Sequence, residues 1–251
     1  MNHPATAPPI TTVVFDADET VVDLSPAVTG ALATVLAEMR RLSPAAEALT
    51  VADLAEDWPP VFAAMRAAPT PDIRRAALAR SLVRVGLEAE LDRVSEIFFA
   101  RRFALSRPFA DVLPALAALR ALYTVGMATN GNSRADRCGL TGEFAFEVYA
   151  HEGGLPKKPA AEFFAAVVEA AGCVPAAVVH VGDSWEHDVR AARAAGLRAV
   201  WLNRAGAPRP PGPAPDGEVR SLAELPELLA GLAAGRVTAA TPDPEGQRAA
   251  R

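Results

Sequence analysis

The sequence predicts an α/β fold: an open, doubly wound parallel sheet whose chain is interrupted, soon after its first strand, by an all-helical insert. Three observations point there. From Pro108 onward, short β-branched and apolar runs alternate with helical patterns. Each of those runs stops at polar residues. Between Asp23 and about Arg107, helical patterns recur with no comparable strand. Alternating strand and helix implies right-handed βαβ units and hence a parallel sheet.

Thr11–Phe15 (TTVVF) is β-branched and aromatic, as a strand buried on both faces requires, and it stops at Asp16. Helix-start signals follow. Ser25-Pro26, Ser43-Pro44 and Thr70-Pro71 each place a potential capping hydroxyl before a proline suited to the first helical position. Leu32, Val35, Leu36 and Met39 make one helical stripe, and Ile97, Phe98 and Phe99 lead another before Arg101 and Arg102. Past Pro108, Val112, Leu113, Leu116 and Leu119 predict a helix, and Tyr123–Ala128 a strand that ends at Thr129-Asn130. Phe163, Phe164, Val167 and Val168 predict the next helix, Ala177–Val181 a strand that ends at Gly182-Asp183, and Ala199–Leu202 a strand after a helix reaching about Ala195. Ala205–Arg220 holds five prolines and reads as a loop, with Leu222–Leu232 the last helix. The expected partition is a core of residues 11–22 and 108–235, a helical insert of 23–107, and flexible tails at 1–10 and 236–251.

With 251 residues, 51% of them hydrophobic, the chain can bury a core in one large or two modest domains. Thirty acidic against 25 basic residues leave a net charge of −5, which excludes the electrostatic footprint of a nucleic-acid binder or a coat on an anionic membrane. A small-molecule partner is expected, bound by a monomer or homodimer. No stretch approaches the roughly 18 uninterrupted apolar residues of a membrane span, and Met1–Ile10 lacks the basic and apolar regions of a signal peptide, so a soluble cytoplasmic protein is expected. Cys138 and Cys173 lack metal-ligand spacing and read as reduced core residues. Among the basic residues only the adjacent Lys157 and Lys158 are lysine. Lysine is a compact point charge and arginine a planar fork, so an arginine-rich chain is expected to keep lysine where a point charge is needed.

Ligands of open α/β sheets bind beyond the carboxyl ends of the strands. At the first such end, the alternation of an extended chain points Asp16 and Asp18, with Thr20 after them, to one side. Close carboxylates repel, so one takes a proton or a cation sits between them. Asp183, on a neighbouring strand end, would supply a third hard oxygen, and such a set suits Mg²⁺. Read alone, D-x-D-x-T more often describes a strand opening into a turn. Three more segments bear on the choice: Thr129-Asn130, Lys158 before a helix expected to start at Pro159, and Gly182-Asp183 with Asp188.

Together, Val14–Thr20 (VFDADET), Ala128–Gly131 (ATNG), Lys158-Pro159 and Val181–Ser184 (VGDS) through Asp188 resemble the four ordered motifs of the haloacid dehalogenase-like (HAD) superfamily of phosphotransferases, over nearly the whole chain. The resemblance implies a Rossmann-like core, an α-helical C1 cap closing over the crevice, and Mg²⁺-dependent hydrolysis of a small phosphorylated metabolite. It casts Asp16 as the nucleophile that becomes an aspartyl phosphate, and Asp18 as the acid for the leaving alcohol and then the base for water. Thr129, through its hydroxyl, and the adjacent backbone N–H, at Asn130, would bind phosphoryl oxygens, and Lys158 would neutralise them. Mg²⁺ would be held by the Asp16 carboxylate, the Asp18 carbonyl and Asp183, with Thr20 in support and Asp188 supporting the metal shell or orienting Lys158. The chemistry asks for these types. A carboxylate attacking an anionic phosphoryl group needs offsetting positive charge, and a departing alkoxide needs a proton.

Glu19 stands where the family most often has glycine, so the flap after the first strand is expected to differ in shape. An acidic residue there looks more like the branch containing pyrimidine nucleotidases and sialic acid phosphate phosphatases. Three other activities compete with phosphatase. A phosphomutase would differ mainly by excluding water, and a 2-haloacid dehalogenase would need neither Mg²⁺ nor a proton donor. A phospho-accepting signalling receiver would carry its acceptor on a later strand and lack so large an insert. On the insert, Arg40, Arg41, Arg101 and Arg102 are candidates to meet an anionic substrate, although each also reads as a solvated helix arginine. Trp58 and Trp185 are candidates for stacking on a base or sugar, or for packing, and His151 is a substrate contact or a solvated loop residue. His180 reads as a satisfied core histidine, and His187 lacks a spaced partner for zinc.

Overall fold

The computed structural model describes residues 8–235. Strand β1 (Thr12–Phe15) is buried at every position, and the chain then turns into the short β2 (Val22–Asp23). Five helices follow: α1 (Leu24–Leu42), α2 (Val51–Ala55), α3 (Trp58–Ala64), α4 (Thr70–Val83) and α5 (Leu91–Leu105). β3 (Arg107–Pro108) pairs antiparallel with β2, so the helical insert leaves and re-enters through one narrow neck. Beyond it come α6 (Val112–Arg120), β4 (Thr124–Thr129), β5 (Phe146–Tyr149), α7 (Ala161–Ala171) and β6 (Val178–Gly182). A π-helical turn over Trp185–Arg190 runs into α8 (Ala191–Ala194), followed by β7 (Arg198–Leu202), β8 (Gly217–Val219) and α9 (Leu225–Ala233).

The main sheet has the order β5-β4-β1-β6-β7-β8, with every pair parallel. From the central β1 the chain builds outward through β4 and β5, then returns to β1's other edge to lay down β6. That reversal opens a crevice at the carboxyl ends of β4, β1 and β6. Strand alternation sorts the core into two layers. Val13 and Phe15 join Leu116 of α6 and Leu229 of α9 on one face, while Val14 joins Phe163 and Phe164 of α7 on the other. The insert has a core of its own, in which Leu32, Val35, Leu36 and Met39 pack at helical spacing against Leu78, Leu82 and Phe98.

Several expectations change in detail. β8 lies inside the proline-rich segment expected to be a loop, and β5 was not anticipated; both are short strands at the sheet's edges. The helix after Lys158 starts at Ala161 rather than Pro159. None of the three expected capping hydroxyls caps its helix. Ser43 Oγ donates to Val85 O (3.0 Å), Thr70 Oγ1 to Asn130 O (3.1 Å), and Ser25 Oγ to the Glu19 carboxylate (2.7 Å), so two of them tie the insert to the core. Of the expected tails, residues 1–7 and 236–251 lie outside the described residues, and Ile10 is buried in the core. Cys138 is buried and Cys173 half-buried, and neither forms a disulfide. Among the described residues no helix is long and apolar enough to cross a membrane.

Candidate active site at the carboxyl edge of the sheet

β1 ends at Phe15, and the chain then coils so tightly that the amides of Thr20, Val21 and Val22 all reach Ala17 O. Asp16 still follows the ladder, its N donating to Val181 O (2.9 Å), and the coil begins at Ala17. Asp16 and Asp18 both open onto one cavity of about 130 Å³, which Thr129, Lys158, Asp183 and Asp188 also line.

Lys158 is the hub of that cavity and is only 3% exposed. Its Nζ donates to Asp16 Oδ1 (2.6 Å), Asp188 Oδ1 (2.6 Å) and Ala128 O (3.2 Å). Asn130 grips the same residue by its backbone: Nδ2 donates to Lys158 O (2.9 Å) and Oδ1 accepts from Lys158 N (2.6 Å). The Asn130 side-chain amide is therefore spent on placing the lysine, which leaves its backbone N–H as the group expected on phosphate. Thr129 is buried where β4 ends, and its Oγ1 accepts from Gly131 N (3.0 Å).

Asp188 is delivered by the π-helical turn, a rare element found often at functional sites. Ser184 N donates to its Oδ2 (3.1 Å), and His180 Nε2 lies 3.0 Å from its Oδ1. His180 is thus buried but not a fully satisfied core histidine: one ring nitrogen supports Asp188 and the other, Nδ1, has no partner. Gly182 leaves the room, since a Cβ there would sit 2.3 Å from Asp188 Cγ. Thr20 supports Asp183, its Oγ1 donating to Oδ1 (3.3 Å) while accepting from Asp183 N (3.1 Å).

The charges are unbalanced. Burial pushes the Asp188 carboxyl up, but Lys158 and His180 override that and hold it below the usual carboxylate range. Burial likewise penalises the Lys158 ammonium, and its two carboxylates more than compensate, raising it above the usual lysine value. Asp16 is raised well above its ordinary value, first by burial and then by Asp188 and Asp183, against the pull of Lys158. Asp183 is pushed up to about 6 by burial and by Asp188. One lysine cannot neutralise three carboxylates. Asp16, Asp183 and Asp188 each present an oxygen, all within 4.8 Å of one another, and this hard, electron-rich set fits Mg²⁺.

The Asp18 carboxylate points elsewhere. Ser133 Oγ donates to its Oδ1, and Arg102 Nη2, which also donates to Ser133 Oγ, lies 3.6 Å from that oxygen. Gly131 permits this placement, because a Cβ there would fall 2.2 Å from Asp18 Oδ2.

A family model described as haloacid dehalogenase-like hydrolase matches residues 10–196. The chain belongs to this family. It is 32% identical over 148 residues to the pyrimidine 5′-nucleotidase YjjG of Escherichia coli, covering 57% of this chain and 66% of that one. It is 35% identical over 139 residues to the phosphoserine phosphatase of Thermus thermophilus, covering 53% and 55%. These matches span less than two thirds of the length of either relative. Among solved structures, a 2-haloacid dehalogenase from Pseudomonas syringae pv. Tomato shares 31% identity at a TM-score of 0.74, over 89% of this chain and 99% of that one.

In this haloacid dehalogenase-like hydrolase, Ser133 and the partnership of Arg102 with Asp18 were not read from sequence. A serine four residues past Thr129 carries no spacing signal, and an arginine in a helix looks like its neighbours. Burial separates them: Arg102 is 3% exposed, whereas Arg101 is exposed, Arg41 pairs with Glu38 (2.9 Å) and Arg40 reaches Leu49 O (2.7 Å). Trp58 packs on Phe62 beneath the Arg74 guanidinium and Trp185 packs against Trp201, so packing occupies both rings. Lys157 is half-exposed and its Nζ lies 3.4 Å from Arg66 O. Glu19 takes a left-handed φ of 61°, and its Oε1 accepts from Ser25 N (2.8 Å) in the first turn of α1.

Proposed function

We propose that this hydrolase is a Mg²⁺-dependent phosphomonoesterase acting on a small phosphorylated metabolite through an aspartyl phosphate on Asp16. The observation that carries the reading is the buried Asp16–Lys158–Asp188 chain beside Asp183, with a separately held Asp18 on the same cavity. An Asp16 oxygen attacks phosphorus as the ester P–O bond breaks, and Asp18 passes a proton to the departing alkoxide. Asp18 then takes a proton from water, whose oxygen attacks the same phosphorus and frees both the Asp16 carboxylate and inorganic phosphate. Lys158, fixed between Asp16 and Asp188, offsets the charge of the incoming phosphoryl group, and Thr129 offers its hydroxyl. Asp16, Asp183 and the Asp18 carbonyl would hold Mg²⁺, which when bound lowers the repulsion between nucleophile and phosphoryl oxygens. Asp188 serves as the anchor of Lys158. Phosphate release from a panel of phosphorylated metabolites should require Mg²⁺ and be abolished reversibly by EDTA; metal-independent turnover would contradict the reading.

The likeness to a 2-haloacid dehalogenase favours a second reading, displacement of halide from carbon by the same Asp16. That reaction has no use for a metal or for an acid on the leaving group, yet the carboxylate cluster and Asp18 are both in place. Halide release from a 2-haloacid without added metal would establish it. The two curated relatives are named for different leaving groups, a nucleotide in one and phosphoserine in the other, so the leaving group has to be read from this chain's own crevice.

A further inference from the structure

Across Asn130 and Gly131, which line both, the catalytic cavity adjoins a chamber of about 460 Å³ between the insert and the core. Gly131 carries no side chain to close the way between them. Ligand clefts run about 300–1,000 Å³, and a three-carbon alcohol would leave most of this one to water. Its walls are rings and prolines: Phe99 and Phe103 of α5, Tyr149 of β5, and Pro69 and Pro71 at the start of α4. Guanidinium groups already lie over Phe103 and Tyr149 (Arg137 and Arg134, each 4.3 Å from the ring centroid), so these rings offer a flat leaving group an apolar wall more than an open stacking face.

The polar groups on the walls narrow the chemistry. His151 holds a left-handed φ of 71°, and its buried Nε2 has no hydrogen-bond partner, a costly arrangement unless a ligand completes it. Burial first, and then Lys157, lower its pKa, so the ring offers a neutral hydrogen bond rather than a charge. The cations nearby are engaged or exposed. Arg134 pairs with Glu152 (2.5 Å) over the Tyr149 ring, Arg137 lies exposed over Phe103, and Arg102 is held by Ser133 and Asp18. A carboxylate-bearing leaving group would lose water here without gaining a buried cation.

We infer that the leaving group is a nucleoside, seated with its base among Phe99, Phe103 and Tyr149 and hydrogen-bonded by His151, so that the substrate class is nucleoside 5′-monophosphates. This inference rests on the phosphomonoesterase reading and names the substrate of the same site.

Steady-state phosphate release with Mg²⁺, compared across UMP, AMP, phosphoserine, glyceraldehyde 3-phosphate and acetyl phosphate, tests it. At least one nucleotide should exceed phosphoserine and glyceraldehyde 3-phosphate in kcat/KM by about tenfold or more, as selection by apolar contacts and one hydrogen bond allows. In His151→Ala and Phe103→Leu, the kcat/KM ratio of that nucleotide to acetyl phosphate should fall about tenfold, mainly through KM. Nucleotides no better than phosphoserine, or variants that leave the ratio unchanged, would overturn the nucleoside assignment while hydrolysis of phosphoserine or glyceraldehyde 3-phosphate preserved the phosphomonoesterase reading. Release of phosphate from none of the four esters would remove that reading and the assignment together.

Discussion

Lys158 meets two carboxylates at 2.6 Å and a carbonyl at 3.2 Å in a space closed to solvent, and only a compact ammonium serves all three. A guanidinium keeps the charge but needs planar room. Lys158→Arg should therefore lower kcat by about a hundredfold or more, whereas Lys157→Arg should change it by less than about twofold. Equal losses would contradict the assignment. The Asp18 carboxylate depends in the same way on Arg102 and Ser133. Arg102→Gln should cost about tenfold to a hundredfold in kcat with little change in KM, and Arg102→Lys should recover part of it. A loss seen only in thermal stability would show that Arg102 merely packs. At this scale the sequence was legible wherever a polar residue ends a strand, as Asp16 and Asp183 do. It was silent where the fold itself makes the partnership, since only folding brings the end of α5 to the loop after β4.

Among the elements, the coil between β1 and α1 shows how an unusual residue is accommodated. Glu19 bears the strain of a left-handed backbone, of order 1 kcal/mol for a side-chain-bearing residue, and its carboxylate caps the first turn of α1. Glu19→Ala keeps the strain and loses the cap, so it should destabilise the protein by about 1 kcal/mol. Glu19→Gly loses the cap but relieves a comparable strain, so its stability should stay within about 0.5 kcal/mol of wild type. Thermal unfolding of the two variants checks the pair, and equal destabilisation would mean the backbone is not strained. Strands β1, β4, β6 and β7 were legible because burial on both faces demands continuous apolar runs. β5 and β8 were not, because short edge strands take their pairing from a neighbour already in place. Ser25, Ser43 and Thr70 carried cap-like sequence signals, yet tertiary contacts claimed their hydroxyls.

Over the whole molecule, Asp111 at the start of α6 clasps the segment beyond β7. Arg204 donates to both of its oxygens (2.9 and 3.1 Å), and Ser221 Oγ (2.7 Å) and Leu222 N (2.9 Å) add to Oδ2. Arg204 also reaches Thr20 O (3.0 Å), so the clasp extends to the coil that carries Asp16 and Asp18. Burial alone would raise the Asp111 carboxyl, but these donors bring it below its ordinary value. A folded-state value below the unfolded one gives stability that is full above the unfolded pKa and lost as pH falls through the folded one. Wild type should therefore exceed Asp111→Asn in urea midpoint at pH 7, and the gap should narrow once the pH falls below the ordinary carboxylate range. A gap independent of pH would assign the effect to packing.

The proposed reaction turns on Asp16 taking the phosphoryl group. Phosphate release by wild type and Asp16→Asn, measured side by side with saturating Mg²⁺ on the best substrate of the panel, addresses that claim directly. Turnover should vanish in Asp16→Asn while its fold, followed by circular dichroism, is retained. Undiminished phosphate release from the substituted protein would contradict it.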